Sequence, residues 1–206
     1  MACAHCCYDC GPKGVDMSWK VFKAAVEHAS LVALGGGEPT LHRQFWKYLA
    51  YAIAHCDEGV WLATNGSRTD DALTLAKMAE RGVMGCALSL DPWHAPIDPK
   101  VRKAFTKVDN PHSYERTDHD MREIRTVTEH LSWEGRARTL ITKPKKHECC
   151  CADILVWPDG KVTQCGCEDS PLIGDVFNGI NPMDDDRAMC YLSASKASRR
   201  RLCNQS

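Results

Sequence analysis

No apolar run in the sequence approaches the ~18 residues that a membrane-spanning helix needs, and no secretory signal pattern opens it. A surplus of one charge is missing too: 26 Lys and Arg stand against 27 Asp and Glu, a formal net charge of -1. The overall balance therefore supplies no field for a nucleic acid or a membrane surface. Cysteine, by contrast, is abundant, with 13 in 206 residues. An odd count in a chain without a secretory leader points to a reducing compartment, so a cytoplasmic protein with no membrane partner is expected. The thiols then serve metal more readily than disulfides.

Four of those cysteines lie in Cys3-Ala4-His5-Cys6-Cys7-Tyr8-Asp9-Cys10. Two patterns coexist there. Cys3, Cys7 and Cys10 form C-x3-C-x2-C, which suits an iron-sulfur cluster, whereas Cys3 with Cys6 and Cys7 with Cys10 form two C-x2-C pairs, which suit zinc.

Beyond this loop, Ser18 can cap a helix carrying Trp19, Phe22, Val26 and Ala29 at helical spacing. Leu31-Val32-Ala33-Leu34 reads as a buried strand that runs into Gly35-Gly36-Gly37. A second helix is expected from Leu41 to His55, with Phe45, Trp46, Leu49 and Ile53 on one side. Val60 to Ala63 gives a strand closed by Asn65-Gly66, and a helix opening at Thr69 or Asp70 runs through Leu73, Ala76 and Ala79 to Gly82. Val83 to Leu90 is another strand, and Asp98-Pro99 caps a further helix through Phe105. Asp109 to Asp120 reads as a surface loop, Met121 to Leu131 as a helix, and Leu131 to Arg136 as a fifth strand.

Strands alternating with helices at this interval indicate β-α units and a parallel sheet, open or curled into a barrel. Ligands sit at the carboxyl ends of such strands. The unusual residues fall there: Gly35 to Glu38, Thr64 to Ser67, and Ser89 to His94.

The character changes near residue 148. Ile154 to Trp157, the turn Pro158-Asp159-Gly160 and Lys161 to Cys165 form a β-hairpin, which breaks the β-α alternation. The expected division is 1–148 and 149–206. The acidic run Asp184 to Asp186 and the basic run Arg199 to Arg201 suit the two ends of one helix.

Cys3-x3-Cys7-x2-Cys10 followed, one helix and one strand later, by Gly36-Gly37-Glu38-Pro39 resembles the radical S-adenosylmethionine (radical SAM) superfamily, over roughly residues 3 to 140. The resemblance implies an enzyme with a partial (β/α) barrel, its first strand absent from the sequence as given, since only Met1 and Ala2 precede Cys3. It implies Cys3, Cys7 and Cys10 as ligands to three irons of a [4Fe-4S] cluster, the fourth iron taking the amino and carboxylate groups of SAM. Reductive cleavage of SAM then yields a 5'-deoxyadenosyl radical that abstracts hydrogen from a substrate, and an electron donor is required. Cys6 is spare in this scheme and should tolerate serine.

By the same resemblance Gly36, Gly37 and Glu38 receive the SAM amino group, and Ser89 and Asp91 approach the ribose. Asn65 is either a turn residue or a cofactor contact, Arg136 either a partner of the SAM carboxylate or a surface ion pair, and His94 either an ordinary loop histidine or one that reaches substrate. Many members carry an aromatic residue directly before the third cysteine, whereas Asp9 stands there and the aromatic is Tyr8.

The C-terminal piece resembles the SPASM or twitch extensions that carry auxiliary clusters. Cys151, Gly160 and Cys165 give C-x8-G-x4-C, Cys167 and Cys190 complete a set of four, and Cys149, Cys150 and Cys203 are substitutes. Zinc, or reduced thiols without metal, compete with a second iron-sulfur cluster here. The extension makes a peptide or protein the first expected substrate, and a nucleoside or small metabolite the second. The rival from another class is a zinc-stabilised binding module without catalysis. Cys56 and Cys86, on a helix and a strand, read as small buried hydrophobes.

Overall fold

A computed structural model describes residues 3–107, 119–126, 135–140, 154–167 and 170–181. In chain order its elements are α1 (Trp19–Glu27), β1 (Leu31–Leu34), a 3-10 turn at Pro39–Leu41, α2 (Phe45–His55), β2 (Gly59–Thr64), α3 (Thr69–Glu80), β3 (Gly85–Ser89), α4 (Pro99–Phe105), β4 (Arg122–Arg125), a 3-10 turn at Gly135–Thr139, and the strands β5 (Leu155–Val156), β6 (Lys161–Thr163), β7 (Leu172–Asp175) and β8 (Gly179–Ile180). They fall into two compact units. One draws on Cys10–Pro12 and Ala29–Leu131, the other on Ala2–Asp9, Lys13–His28 and Ser132–Ser206.

The first unit is α/β, with β1, β2, β3 and β4 in chain order and every neighbouring pair parallel. Helices α2, α3 and α4 make the crossovers that parallel pairing demands. The central strand β3 is buried from Gly85 to Leu88, as a strand covered on both faces must be. Helix α3 buries Ala72, Leu75, Ala76 and Ala79, spaced i, i+3, i+4 and i+7, so Leu75 occupies the stripe in place of the expected Leu73. Helix α2 buries Phe45, Tyr48, Leu49 and Ala52. Trp46, expected inside, is 40% exposed and donates its indole N–H to Asp71 Oδ1 at 2.9 Å. The Asp98 cap stands as expected, its Oδ1 accepting from Lys100 N at 2.8 Å.

Met121 to Leu131 is not the expected helix, since Arg122–Arg125 is a strand paired with β3. The sequence Arg-Glu-Ile-Arg has no apolar alternation because β4 pairs on one side only, and charge suits a sheet edge. What holds it is electrostatic. Arg122 donates Nη2 to Asp120 Oδ2 at 2.8 Å and Nη1 to the Ala104 carbonyl at 2.7 Å, and Nη1 also lies 3.2 Å from Glu80 Oε1. The guanidinium of Arg125 sits 4.2 Å from the ring centre of Trp61. Gly135 and Arg136 lie on a 3-10 turn and not on a fifth strand. The remainder of that stretch, most of the Asp109–Asp120 loop, the boundary near 148 and the charged runs beyond 183 lie outside the described residues.

The second unit contains an antiparallel sheet, β5 to β8, in chain order. The expected hairpin is β5 and β6, turned by Pro158-Asp159-Gly160. Its core is Val21 of α1 with Val162, Ile173 and Val176, flanked by Met17, Ala24, Ala25, Val156 and Ile180. Helix α1 starts where expected, with Ser18 Oγ accepting from Val21 N at 3.3 Å. Its far end is tied by a bond between His28 Nε2 and the Val176 carbonyl at 3.1 Å. The apolar face of α1 thus serves the antiparallel sheet. Among the described residues no helix is long and apolar enough to cross a membrane.

The Arg122 network yields a stability test. The side chains of Arg122 and Asp120 are only 12% and 9% exposed, and the hydrogen bond from Arg122 holds the Asp120 carboxyl below the usual carboxylate range. Arg122→Met should therefore cost about 2–3 kcal/mol at neutral pH, read by urea unfolding. A depressed folded pKa stabilises above the unfolded value of about 3.9 and is lost as pH falls through the folded value. The gap between variant and wild type should close on acidification through that window.

Candidate functional site

Because β1, β2 and β3 are parallel and in register, their carboxyl ends share one edge of the sheet. Glu38 is the hub of that edge. Its Oε1 accepts from Thr40 N at 3.3 Å, Thr40 Oγ1 at 2.7 Å and Thr64 Oγ1 at 2.9 Å, and its Oε2 accepts from Asn65 N at 2.7 Å. One carboxylate thereby ties the loop after β1 to the end of β2. Oε2, with a single donor against three on Oε1, keeps acceptor capacity for a ligand. Thr64 stands in the strand-end stretch Thr64 to Ser67 that the sequence marks as unusual, whereas nothing in the sequence marks Thr40.

Gly36 has φ +104, a region that residues with a Cβ rarely enter, and a Cβ built at Gly37 would lie 3.7 Å from Cβ of Cys10. Asn65 is buried and its Oδ1 accepts from Ser67 N at 2.9 Å, so it is a turn residue in its side chain and a Glu38 partner in its backbone. Ser89 ends β3, half-buried. Asp91 Oδ1 accepts from Trp93 N at 3.0 Å, and its Oδ2 lies 3.0 Å from Nδ1 of His94. Those side chains are 1% and 13% exposed, so the His94 ring lies largely out of solvent against the Asp91 carboxylate in the loop after β3.

Cys86, beneath this edge, is fully buried, and burial first, then the nearby Glu38 charge, pushes its thiol up to about 12. Burial and Asp57 raise Cys56 likewise. Both are inert small hydrophobes, as their positions suggested.

The second unit holds Cys3, Cys6 and Cys7, each half-buried, and Cys10 belongs to the first. Cys6 N donates to the Cys3 carbonyl at 3.2 Å, closing a turn. Arg136 meets this loop three times. Its backbone N donates to the Cys6 carbonyl at 3.0 Å, its Nε to the Cys3 carbonyl at 2.9 Å, and its Nη1 to Asp9 Oδ1 at 3.0 Å. At Gly135, φ +48, a Cβ would lie 2.6 Å from the Cys7 carbonyl oxygen and 2.7 Å from that of Cys6, so only glycine fits. Asp9 is the single non-glycine with positive φ among the described residues, at 56°, and aspartate tolerates that region better than most. Tyr8 packs on the backbone at Gly166, where a Cβ would come within 2.8 Å of its hydroxyl oxygen.

Gly166 lies between Cys165 and Cys167, both 5% exposed. Thr163 Oγ1 donates to the Cys165 carbonyl at 2.8 Å, Cys165 N to Ser170 Oγ at 2.9 Å, and Ser170 N to the Cys167 carbonyl at 3.0 Å. Cys149, Cys150, Cys151, Cys190 and Cys203 lie outside the described residues.

A parallel α/β sheet with a glycine turn and an anchored acid at its strand ends, in a chain that opens on C-x3-C-x2-C, is compatible with the partial radical SAM fold that the resemblance implies. The chain is 32% identical over 108 residues to the mycofactocin maturase MftC of Mycolicibacterium smegmatis, a match spanning 50% of this chain and 27% of that protein. It is 31% identical over 110 residues to the enzyme of the same name from Mycobacterium ulcerans, spanning 50% of this chain and 29% of that one. It is 31% identical over 109 residues to that of Mycobacterium tuberculosis. The matches span less than a third of the curated relatives' length, and no protein-family model matches the chain.

The Glu38 hub makes a direct prediction. Glu38→Gln replaces one acceptor oxygen by an NH2 group that must face a donor, at a cost of about 1–3 kcal/mol in urea unfolding. Exchange of the Asn65 amide hydrogen should quicken in the variant.

Proposed function

We propose that this chain carries the SAM-cleaving site of a radical SAM enzyme, with the loop Cys3, Cys7 and Cys10 holding a [4Fe-4S] cluster. The observation that carries this reading is the pairing of the C-x3-C-x2-C loop with Gly36-Gly37-Glu38-Pro39 at the end of β1. The donor set fits, because three thiolates in one irregular loop satisfy three irons and leave a fourth for SAM. Bound there, the cluster supplies the electron that breaks a carbon-sulfur bond of SAM and gives the radical that takes hydrogen from substrate.

The chain's own residues bind and orient. Glu38, already rigid through four donors, offers Oε2 to the protonated amine of SAM, and the bare backbone at Gly36 and Gly37 lets it approach. Asn65 holds that carboxylate in place. Ser89 and Asp91, at the end of β3, face the ribose, with His94 packed against Asp91. Cys165 and Cys167, with Cys151 and Cys190, would hold a second cluster in a SPASM-like extension, 149–206, appended to a partial barrel, 1–148. The substrate class is a peptide, which the kinship with maturases supports. A cytoplasmic electron donor completes the set.

After anaerobic purification and reconstitution the protein should be brown, with about four irons per chain, or about eight if the extension is also loaded. With dithionite and SAM it should release 5'-deoxyadenosine. Cys7→Ala should fall to the level of the protein-free control, while Cys6→Ser stays within about twofold of wild type. Colourless, zinc-loaded protein, or equal yield from Cys7→Ala, overturns the assignment in favour of a zinc-stabilised module.

A further inference from the structure

Arg136 reads in sequence as a partner for the SAM carboxylate or as a surface ion pair. Its surroundings describe another task. The Cys3, Cys6 and Cys7 carbonyls all turn toward the dipeptide Gly135-Arg136. The first accepts from the guanidinium, the second from the Arg136 amide, and the third lies where a Cβ on residue 135 would sit. The guanidinium also grips Asp9, at the strained left-handed position that closes the loop. No isolated surface ion pair would bond a backbone carbonyl 133 residues away at 2.9 Å while its own amide bonded another.

We propose that Gly135-Arg136 is a clamp that fixes the cysteine loop, and that the Arg136 cation raises the reduction potential of the cluster the loop holds. The second part rests on the cluster assignment above; the first does not. The clamp acts through backbone, so it leaves the thiols for iron. The Arg136 side chain is 30% exposed, so solvent screens its charge only in part. Cluster potentials respond to net charge and hydrogen bonding near the sulfurs, and a cation stabilises the more negative, reduced state. Arg136 is thus a positioning residue that acts on the cluster through Cys3.

Two readouts on the full chain separate the parts. The first is the alkylation rate of Cys6, the spare thiol, by iodoacetamide followed by peptide mass spectrometry, with and without reconstituted cluster. Arg136→Gln and Gly135→Ala should label about tenfold faster than wild type as the loop loosens. The second is a redox titration followed by electron paramagnetic resonance. At the wild-type midpoint Arg136→Gln, with its irons retained, should show a reduced-to-oxidised ratio about tenfold lower, equivalent to 59 mV for a one-electron couple. Arg136→Lys, which keeps the charge and loses the fork, should restore most of that ratio while Cys6 still labels fast.

Unchanged Cys6 labelling in Arg136→Gln overturns the clamp, whether or not a cluster forms. Faster labelling with an unchanged potential overturns the tuning. Wild type that assembles no iron-sulfur cluster overturns the cluster assignment and the tuning with it, and leaves the labelling to decide the clamp. If Gly135→Ala does not fold, Arg136→Gln and Arg136→Lys carry both comparisons.

Discussion

Four donors converge on the Glu38 carboxylate, and the active edge of the parallel sheet depends on that convergence. Strand β1 ends at Leu34, opposite Leu62, and β2 continues to Thr64, so the chain leaving β1 must turn back across the tip of its neighbour. A glycine run makes the turn sterically cheap but leaves it floppy. The bonds from Thr40, Thr64 and Asn65 to Glu38 remove that freedom. Such bonds to a charged acceptor are worth more than neutral ones. In the role proposed for it, a Glu38 carboxylate anchored in this way would meet a cation at a lower ordering cost.

The two units solve the problem of order differently. The first has a broad apolar interior: Leu49, Leu62, Leu75, Leu88, Val101 and Phe105 are each at most 1% exposed, which at about 1.5–3 kcal/mol per side chain is a large driving force. In the second, the buried apolar cluster described is four residues, Val21, Val162, Ile173 and Val176. Buried cysteines at 165 and 167 sit on a turn pinned by Thr163 and Ser170, and metal ligation there, in the role proposed for them, would add cohesion to the small sheet.

What could be read in sequence follows the locality of the cause. Caps, glycine turns and strand positions were legible because each rests on one to four adjacent residues: Ser18, Asp98-Pro99, Asn65-Gly66, the 158–160 hairpin turn; the burial expected of Leu31–Leu34 is not met, because β1 is an edge strand with Leu31 52% exposed. The sheet edge was legible because parallel pairing fixes where strand ends meet. The failures depend on partners distant in the chain. Arg122–Arg125 looks helical or irregular alone and becomes a strand through β3, Glu80 and Ala104. Trp46 leaves the core for Asp71. Arg136 was visible as a notable cation, but its attachment to residues 3, 6 and 9 could not be seen, since no local pattern encodes a separation of 133 residues. Gly135 carried no signal at all, because a single glycine before an arginine is common and only the carbonyls packed on it make it necessary.

The departure at position 9 from the usual aromatic acquires a physical cause at this level. The residue before Cys10 has φ 56°, which a bulky aromatic would adopt only at a cost of about 1–2 kcal/mol and which aspartate accepts more readily. Aspartate there also supplies the carboxylate that Arg136 grips, so the conformation and its anchor come from one side chain. The aromatic stands one place earlier, and Tyr8 lies against the bare backbone of Gly166. Asp9 and Arg136 are joined by one ion pair, Gly135 sits against the Cys6 and Cys7 carbonyls, and the conformation of the cysteine loop ties these contacts together.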